Sequence, residues 1–355
     1  MHIPDGYLSP ATCAVAFAAA APFWYVASRK VKAKLHTKLV PLMAVVSAFS
    51  FVVMMFNLPL PGGTSGHAVG MAVAAIVVGP WAAVLSISVA LMIQAVFFGD
   101  GGITAYGANA FNMAVVGTFV AYWIYSLIAG RSPATSRIRV VAAGIAGYVG
   151  INVAALVASV EFGLQPLLFT DATGAPLYAP YPLSIAVPAM LGGHLALAGI
   201  AEAVIGAGLV AMLQRYEPEL LAVGTSSEVA PARAWWQTRA LWFGLAVVMI
   251  LSPLGLIAGG TAWGEWSAED LTDPAARQDI ARASGNIAPP AAVPAGLQAL
   301  AGVWTAPMPD YAPSFLQNKS VGYILSAVTG SGIVLFVFLA IGALPWRRTP
   351  ARQPD

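Results

Sequence analysis

Residues 81–98 read WAAVLSISVALMIQAVFF and residues 107–128 read GANAFNMAVVGTFVAYWIYSLI, two uncharged apolar runs parted by the short stretch GDGGITAY (99–106). A helix needs about 20 mostly apolar residues to cross the hydrocarbon layer, so each run predicts a membrane span. Comparable runs lie at 8–27, 38–57, 66–79, 138–160, 183–213, 240–259 and 319–344. The run at 66–79 is short because Gly79-Pro80 breaks it, which makes it a candidate for a shortened or re-entrant helix packed in protein. Composition agrees. Of 355 residues, 59% are hydrophobic and 9% charged, whereas a soluble domain carries roughly 25% charge. The chain is expected to be an all-α integral membrane protein in contact with lipid. A net charge of +2 gives no reason to expect a nucleic-acid partner. The single cysteine, Cys13, lies in an apolar run, where a small buried hydrophobe is the plain reading.

Charge sets the expected orientation. With nine spans and the N-terminus outside, the inner segments hold Arg29, Lys30, Lys32, Lys34, Lys38, Arg131, Arg137, Arg139, Arg215, Arg233, Arg239, Arg347, Arg348 and Arg352. Only Arg277, Arg282 and Lys319 of the 17 basic residues fall outside, as the positive-inside bias requires. The expected organisation is a seven-span unit over 1–213, a polar cytoplasmic linker over 214–239, and a two-span part over 240–355. That last part encloses an outer loop of Ala, Pro and Gly with Trp263, Trp266 and Trp304. Partial order and plain linker are both open for this loop. The start, MHIPDGYLSP, lacks the basic n-region of a secretory signal, so Met1 is expected to be the mature terminus.

Four histidines occur. His36 sits in the basic loop VKAKLHTK and reads as solvated. His194 sits in the apolar LGGHLALAG. His2 and His67 both fall on the expected outer side. A free terminal amine, the deprotonated His2 amide and the His2 Nδ1 close adjoining five- and six-membered rings on a metal and lie nearly in one plane. One equatorial position remains, and the His67 imidazole can fill it. A planar four-nitrogen set suits Ni(II) or Cu(II), with Co(II) possible in an imposed plane, whereas structural Zn(II) prefers a tetrahedron. The competing reading is two ordinary hydrogen-bonded histidines.

Asp5 in the terminal segment, Thr64 and Ser65 in PGGTSGH, and Asp100, Thr104, Asn109 and Asn112 in FFGDGGITAYGANAFNMAVVG are candidates to orient those imidazoles by hydrogen bonds. Helix capping is the alternative for the residues at 100–112, and a plain flexible turn for PGGTSG. Glu202 reads as the one acidic residue inside an apolar span, eight residues after His194 and so roughly on its face. Structural pairing with His194, or partner contact, is the expected role. In helix 8–27, Ala14, Ala18 and Pro22 form a small-residue stripe suited to close helix approach, within the chain or between subunits. No G-x-x-x-x-G-K-[ST] and no H-E-x-x-H occurs, so any ATP hydrolysis belongs to another chain and no enzyme activity is expected.

MHIPDGYLSP, GGTSGH and GPWAAVLSISVALMIQAVFFGDGGITAYGANAFNMAVVG together resemble the CbiM/NikM proteins, over roughly residues 1–213. Those are the substrate-binding S components of energy-coupling factor transporters for cobalt and nickel. The resemblance implies a seven-helix bundle with metal held by the Met1 amine, the His2 amide and imidazole, and the His67 imidazole. It also implies partners: a transmembrane coupling subunit and cytoplasmic ATP-binding subunits in a bacterial or archaeal cytoplasmic membrane. The two-span C-terminal part is similar to the companion CbiN/NikN component or its PDGLE-type relative, fused in one chain; LSPLGLIAGGTAWGEW loosely follows P-D-G-L-E-W without the aspartate. Gly66-His67-Ala68 in place of the S-H-P motif of many cobalt members tilts the expectation towards nickel as cargo. No organic cofactor is expected. The alternative is a stand-alone secondary divalent-metal permease, which calls for several intramembrane titratable groups.

Overall fold

The computed structural model describes residues 1–32, 39–60, 64–221, 239–259, 261–313 and 315–343. His36, most of the linker expected at 214–239, and the basic residues Lys34, Lys38, Arg233, Arg347, Arg348 and Arg352 lie outside the described residues.

The chain is built of helices wherever the apolar runs predict them. In order they are α1 (Pro10–Lys32), α2 (Leu39–Met54), α3 (Met71–Val78), α4 (Pro80–Phe98), α5 (Tyr106–Ala129), α6 (Arg137–Leu168) and α7 (Leu183–Tyr216). Then come α8 (Arg239–Leu251), which continues as a 3-10 turn over Ser252–Ile257, α9 (Pro274–Ala283), α10 (Ala295–Leu300) and α11 (Lys319–Ala343). Among the described residues, α1, α4, α5, α6, α7 and α11 are long and apolar enough to cross a membrane. Helices α2 and α8 are shorter apolar helices. With eight residues α3 spans roughly 12 Å, well under the hydrocarbon thickness, and every one of its residues is buried. The Gly79-Pro80 break holds: Gly79 takes φ +82 and Pro80 starts α4 at a position where its missing N–H costs nothing.

Two differences from the sequence reading matter, and one alternative left open is decided. Helix α6 runs eight residues beyond the expected end at 160, so Glu161 lies inside an apolar helix and Glu202 is not alone there. A two-stranded hairpin, β1 (Leu58–Leu60) and β2 (Thr64–Gly66), precedes α3. The outer loop is folded rather than a plain linker, carrying α9 and α10 and burying Trp263 and Trp266.

Glycines set the closest helix approaches. A Cβ at Gly150 of α6 would lie 2.8 Å from the Gly117 carbonyl oxygen of α5, and one at Gly206 of α7 would lie 3.0 Å from the Ala143 carbonyl oxygen of α6. Close backbone contact of this kind is how helices gain packing energy in lipid, where burial itself supplies little. The C-terminal α11 packs on α2, and a Cβ at its Gly330 would lie 2.1 Å from the Phe51 ring. Leu127, Val15, Val204 and Phe336 are among the most exposed apolar side chains, as expected of surfaces that meet lipid. On α1 the inward face is Cys13, Ala16, Ala20 and Ala27, while Ala14, Ala18 and Pro22 face outward.

Candidate metal centre

The first nine residues thread into the molecule. Met1, His2, Ile3, Tyr7 and Leu8 are all buried. Several partners hold this segment. Asn109 accepts from the Ile3 N–H at 2.8 Å and donates to the Ile3 carbonyl at 3.0 Å. The Gly102 N–H also donates to the Ile3 carbonyl, at 2.8 Å. Asp5 accepts from the Thr104 N–H at 2.7 Å, from the Thr104 hydroxyl, and from the Ile103 N–H at 3.1 Å. Ser9 donates its N–H to Gln165 at 2.9 Å. The loop has no room for a side chain at Gly102, where a Cβ would lie 2.3 Å from the Asp5 nitrogen. Asp5 and Asn109 therefore grip backbone rather than imidazoles.

This threading brings His2 to His67. The two rings stack with centroids 4.7 Å apart, and His67 Nε2 lies 3.2 Å from His2 Nδ1. His67 Nδ1 is 3.0 Å from the Ala68 carbonyl oxygen; a carbonyl only accepts, so Nδ1 carries the proton and Nε2 presents its lone pair. Burial, with the ammonium terminus and the His2 imidazole nearby, pushes His67 well below the ordinary histidine value, so it stays neutral. Below this loop, Glu202 Oε2 accepts from the Val69 and Gly70 N–H groups at 2.7 and 2.8 Å, satisfying donors at the start of α3.

His194 is not Glu202's partner. Its Nδ1 bonds the Met190 carbonyl at 2.8 Å. The reason is the helix itself: α7 widens into a π turn over His194–Ala198, which breaks the expected register. Asn112 donates to Glu161 at 2.6 Å and not to an imidazole. Thr64 donates to the Thr261 carbonyl at 2.8 Å, and Ser65 bridges to Ala262.

Three contributors, Tyr311, Gln94 and Glu265, were not picked out from the sequence. Asp100, one of the polar candidates named there, places Oδ1 2.8 Å from His2 Nδ1. Its carboxylate also meets Tyr311 Oη at 2.5 Å and Gln94 Nε2 at 3.3 Å. Burial raises the Asp100 carboxyl, but the His2 imidazole beside it outweighs that and holds the group below the usual carboxylate range. The Met1 ammonium pairs with Glu265 Oε1 at 3.2 Å. Glu265 and Tyr311 come from the C-terminal part; Glu265 reaches the Met1 amine across 264 positions and Tyr311 reaches Asp100 across 211. The one signal for Glu265 was its place between glycine and tryptophan in GEW (264–266). Among the described residues no three His, Cys, Asp or Glu side chains converge to hold a metal. A metal here needs main-chain nitrogen as well.

The family model described as cobalt uptake substrate-specific transmembrane region, CbiM, matches residues 2–220, and the PDGLE domain matches residues 237–347. A fused nickel transport protein, NikMN, of Rhodobacter capsulatus is 60% identical over 335 residues, 94% of this chain and 95% of that one. A cobalt transport protein, CbiM, of Geobacter sulfurreducens is 32% identical over 77% of this chain and 76% of its own length. The crystal structure of a truncated transition metal transporter aligns with 61% of this chain and 99% of that chain, at 53% identity and a TM-score of 0.57.

Proposed function

This chain belongs to the CbiM family of cobalt-uptake transmembrane proteins, with a PDGLE domain fused behind it, and we propose that it is the metal-capturing S component of an energy-coupling factor importer. Its relatives are transport proteins for nickel or cobalt, and the chain is a multi-pass transporter rather than an enzyme. Residues 1–213 form the seven-span S component, 214–239 the cytoplasmic linker, and 240–355 the two-span companion part with its long outer loop. Ala14, Ala18 and Pro22 on the open face of α1 are suited to docking the coupling subunit, which the ATP-binding subunits drive from the cytoplasm. The N-terminus faces out. In support, the basic ends of α1 (Arg29, Lys30, Lys32) and of α7 (Arg215), and the start of α6 (Arg137, Arg139), belong to the turns expected inside.

The observation that carries the reading is the 3.2 Å approach of His67 Nε2 to His2 Nδ1. In a plane formed by amine, amide and Nδ1, the fourth position is opposite the amide and adjacent to Nδ1. Two adjacent nitrogens, each about 2.0 Å from a metal, are about 2.8 Å apart. The imidazoles already stand close to that spacing, with the Met1 amine on the same chelating residue pair. The cargo is Ni(II) or Co(II), with nickel favoured by the Gly66-His67-Ala68 sequence and by the name of the nickel relative.

A secondary permease gains one group from Glu161. Both intramembrane carboxylates, however, already accept structural hydrogen bonds, Glu161 from Asn112 and Glu202 from backbone. Reconstitution separates the readings. Uptake of radioactive nickel into proteoliposomes is expected only with the coupling and ATP-binding subunits and ATP; uptake by this chain alone, driven by an ion gradient, would overturn the proposal.

A further inference from the structure

One short turn of the C-terminal part is bonded to both segments that carry the proposed imidazoles. The Thr261 carbonyl accepts from the Thr64 hydroxyl at 2.8 Å and from the Ser65 N–H at 3.3 Å, on the strand that leads into His67. At the other end of the turn, the Trp266 carbonyl accepts from the buried Tyr7 hydroxyl at 2.7 Å, on the segment that leads back to His2. Between these anchors the turn is fixed in shape. The Glu265 N–H closes onto the Ala262 carbonyl at 3.0 Å. Gly264 takes φ +83, and a Cβ there would lie 2.9 Å from the Phe162 ring. Trp263 and Trp266 are buried on either side, and Trp263 Nε1 donates to Ser284 at 3.1 Å.

This turn delivers Glu265 to the chain terminus, with Oε1 3.2 Å from the Met1 nitrogen. Met1 is buried, and among the described residues no other hydrogen-bond partner meets its amine. A buried ammonium without an acceptor is costly, so the pair accounts for the empty site. It also suits the loaded one. When the amine binds a metal, its lone pair goes to the metal and one proton goes to water, while two N–H bonds remain. One of them can still donate to Glu265 Oε1, so the contact that seats the ammonium also aims the lone pair of the bound amine.

We propose that Glu265 is a positioning residue for metal capture, an acceptor from the fused part that holds the Met1 amine where the His2–His67 pair can share a metal with it. This rests on the metal-capture reading above. Glu265 touches the amine and not the metal. Chain ends are poorly ordered unless tied down, and ordering a ligand group only on binding weakens affinity. Glu265 ties the terminus beforehand, and the anchors at Thr64, Ser65 and Tyr7 hold it in register with both imidazoles.

Titration of the full chain with Ni(II), native Met1 free, on wild type, Glu265→Ala, Glu265→Gln and Glu265→Asp tests this. Glu265→Ala is expected to bind about 10- to 100-fold more weakly, with the absorption band at saturation unchanged because the donors are the same. Glu265→Gln presents an acceptor oxygen at the same reach and should stay near wild type. Glu265→Asp keeps the charge but is one methylene shorter, and should fall with alanine. Unchanged or tighter binding by Glu265→Ala overturns the role, as does a Glu265→Gln loss equal to that of alanine. A shifted band overturns it too, since Glu265 is then a ligand. If Glu265→Ala does not fold, the other two decide: loss in aspartate with retention in glutamine supports the role, and equal behaviour refutes it. Acylation of the amine in metal-free protein by a succinimidyl ester, followed at the N-terminal peptide by mass spectrometry, should be faster in Glu265→Ala than in wild type. If wild type binds no nickel the capture reading falls, and this labelling still scores the seat; equal rates overturn it.

Discussion

Asp100 Oδ1 lies 2.8 Å from His2 Nδ1, the imidazole nitrogen that the proposed chelate needs. Tyr311 reaches the same carboxylate from the C-terminal part, and it does so from a backbone φ of +58, with Asp310 beside it at +54. Non-glycine residues rarely adopt such values, and two in succession next to a site indicate a placement held by its surroundings. The fused part therefore meets the candidate site through Tyr311 at Asp100 on one side and through Glu265 at the Met1 amine on the other.

A carboxylate beside a bound dication stabilises it by charge, because an Nδ1 that ligates the metal has given up the proton it would donate to Asp100. Asp100→Asn keeps an acceptor for His2 but removes the charge. Nickel affinity is expected to fall about 10- to 100-fold, with Tyr311→Phe showing a smaller loss in the same direction. Isothermal titration on both variants checks the order, and an unchanged Asp100→Asn affinity would contradict the role.

Glu202 holds the His67 loop through two backbone donors that meet the same oxygen. Glu202→Ala orphans both, at a cost of roughly 2–5 kcal/mol, and should lower the unfolding temperature in detergent together with metal affinity. Glu202→Gln, which can present a carbonyl oxygen in the same place, should retain most of both. Equal damage from the two variants would mean that the charge, and not the acceptor, is what matters.

Gly102→Ala places a Cβ 2.3 Å from the Asp5 nitrogen. The terminal segment has to move away, so binding should be lost while the helical signal by circular dichroism stays near wild type. Retained affinity would show that the segment is not anchored as described.

Binding should tighten as pH rises. The chelate displaces protons from the Met1 ammonium and the His2 amide, about two per metal, giving an apparent affinity that climbs by up to about two log units per pH unit. His67 adds nothing to this slope near neutrality. Its folded value is pushed down by burial, so it stays neutral as pH falls through the ordinary histidine range and is protonated only below its lowered value. A proton-release measurement during nickel titration between about pH 6 and 8 checks the count.

The apolar runs made the helices legible, because lipid demands long charge-free segments and little else in the sequence imitates them. The end of α6 was hidden by Glu161, whose carboxyl signals a helix end until Asn112 is seen to bond it. The meeting of His2 and His67 was legible because histidine is scarce here and both fall beside helix ends expected on the same side. Glu265, Tyr311 and Gln94 were not, since their contacts join segments some 200 residues apart and no local pattern encodes such a meeting. The pairing expected of Glu202 with His194 assumed an unbroken helical register, which the π turn at His194 removes.

The most direct test is a nickel and cobalt titration of the chain with its native amine free, beside His2→Ala, His67→Ala and a version extended by a few residues before Met1. Tight binding with the absorption band of planar Ni(II), lost in all three variants, is the result expected from an amine–amide–imidazole plane closed by His67. Undiminished binding by the extended version would contradict it, because the chelate cannot form without a free amine at Met1.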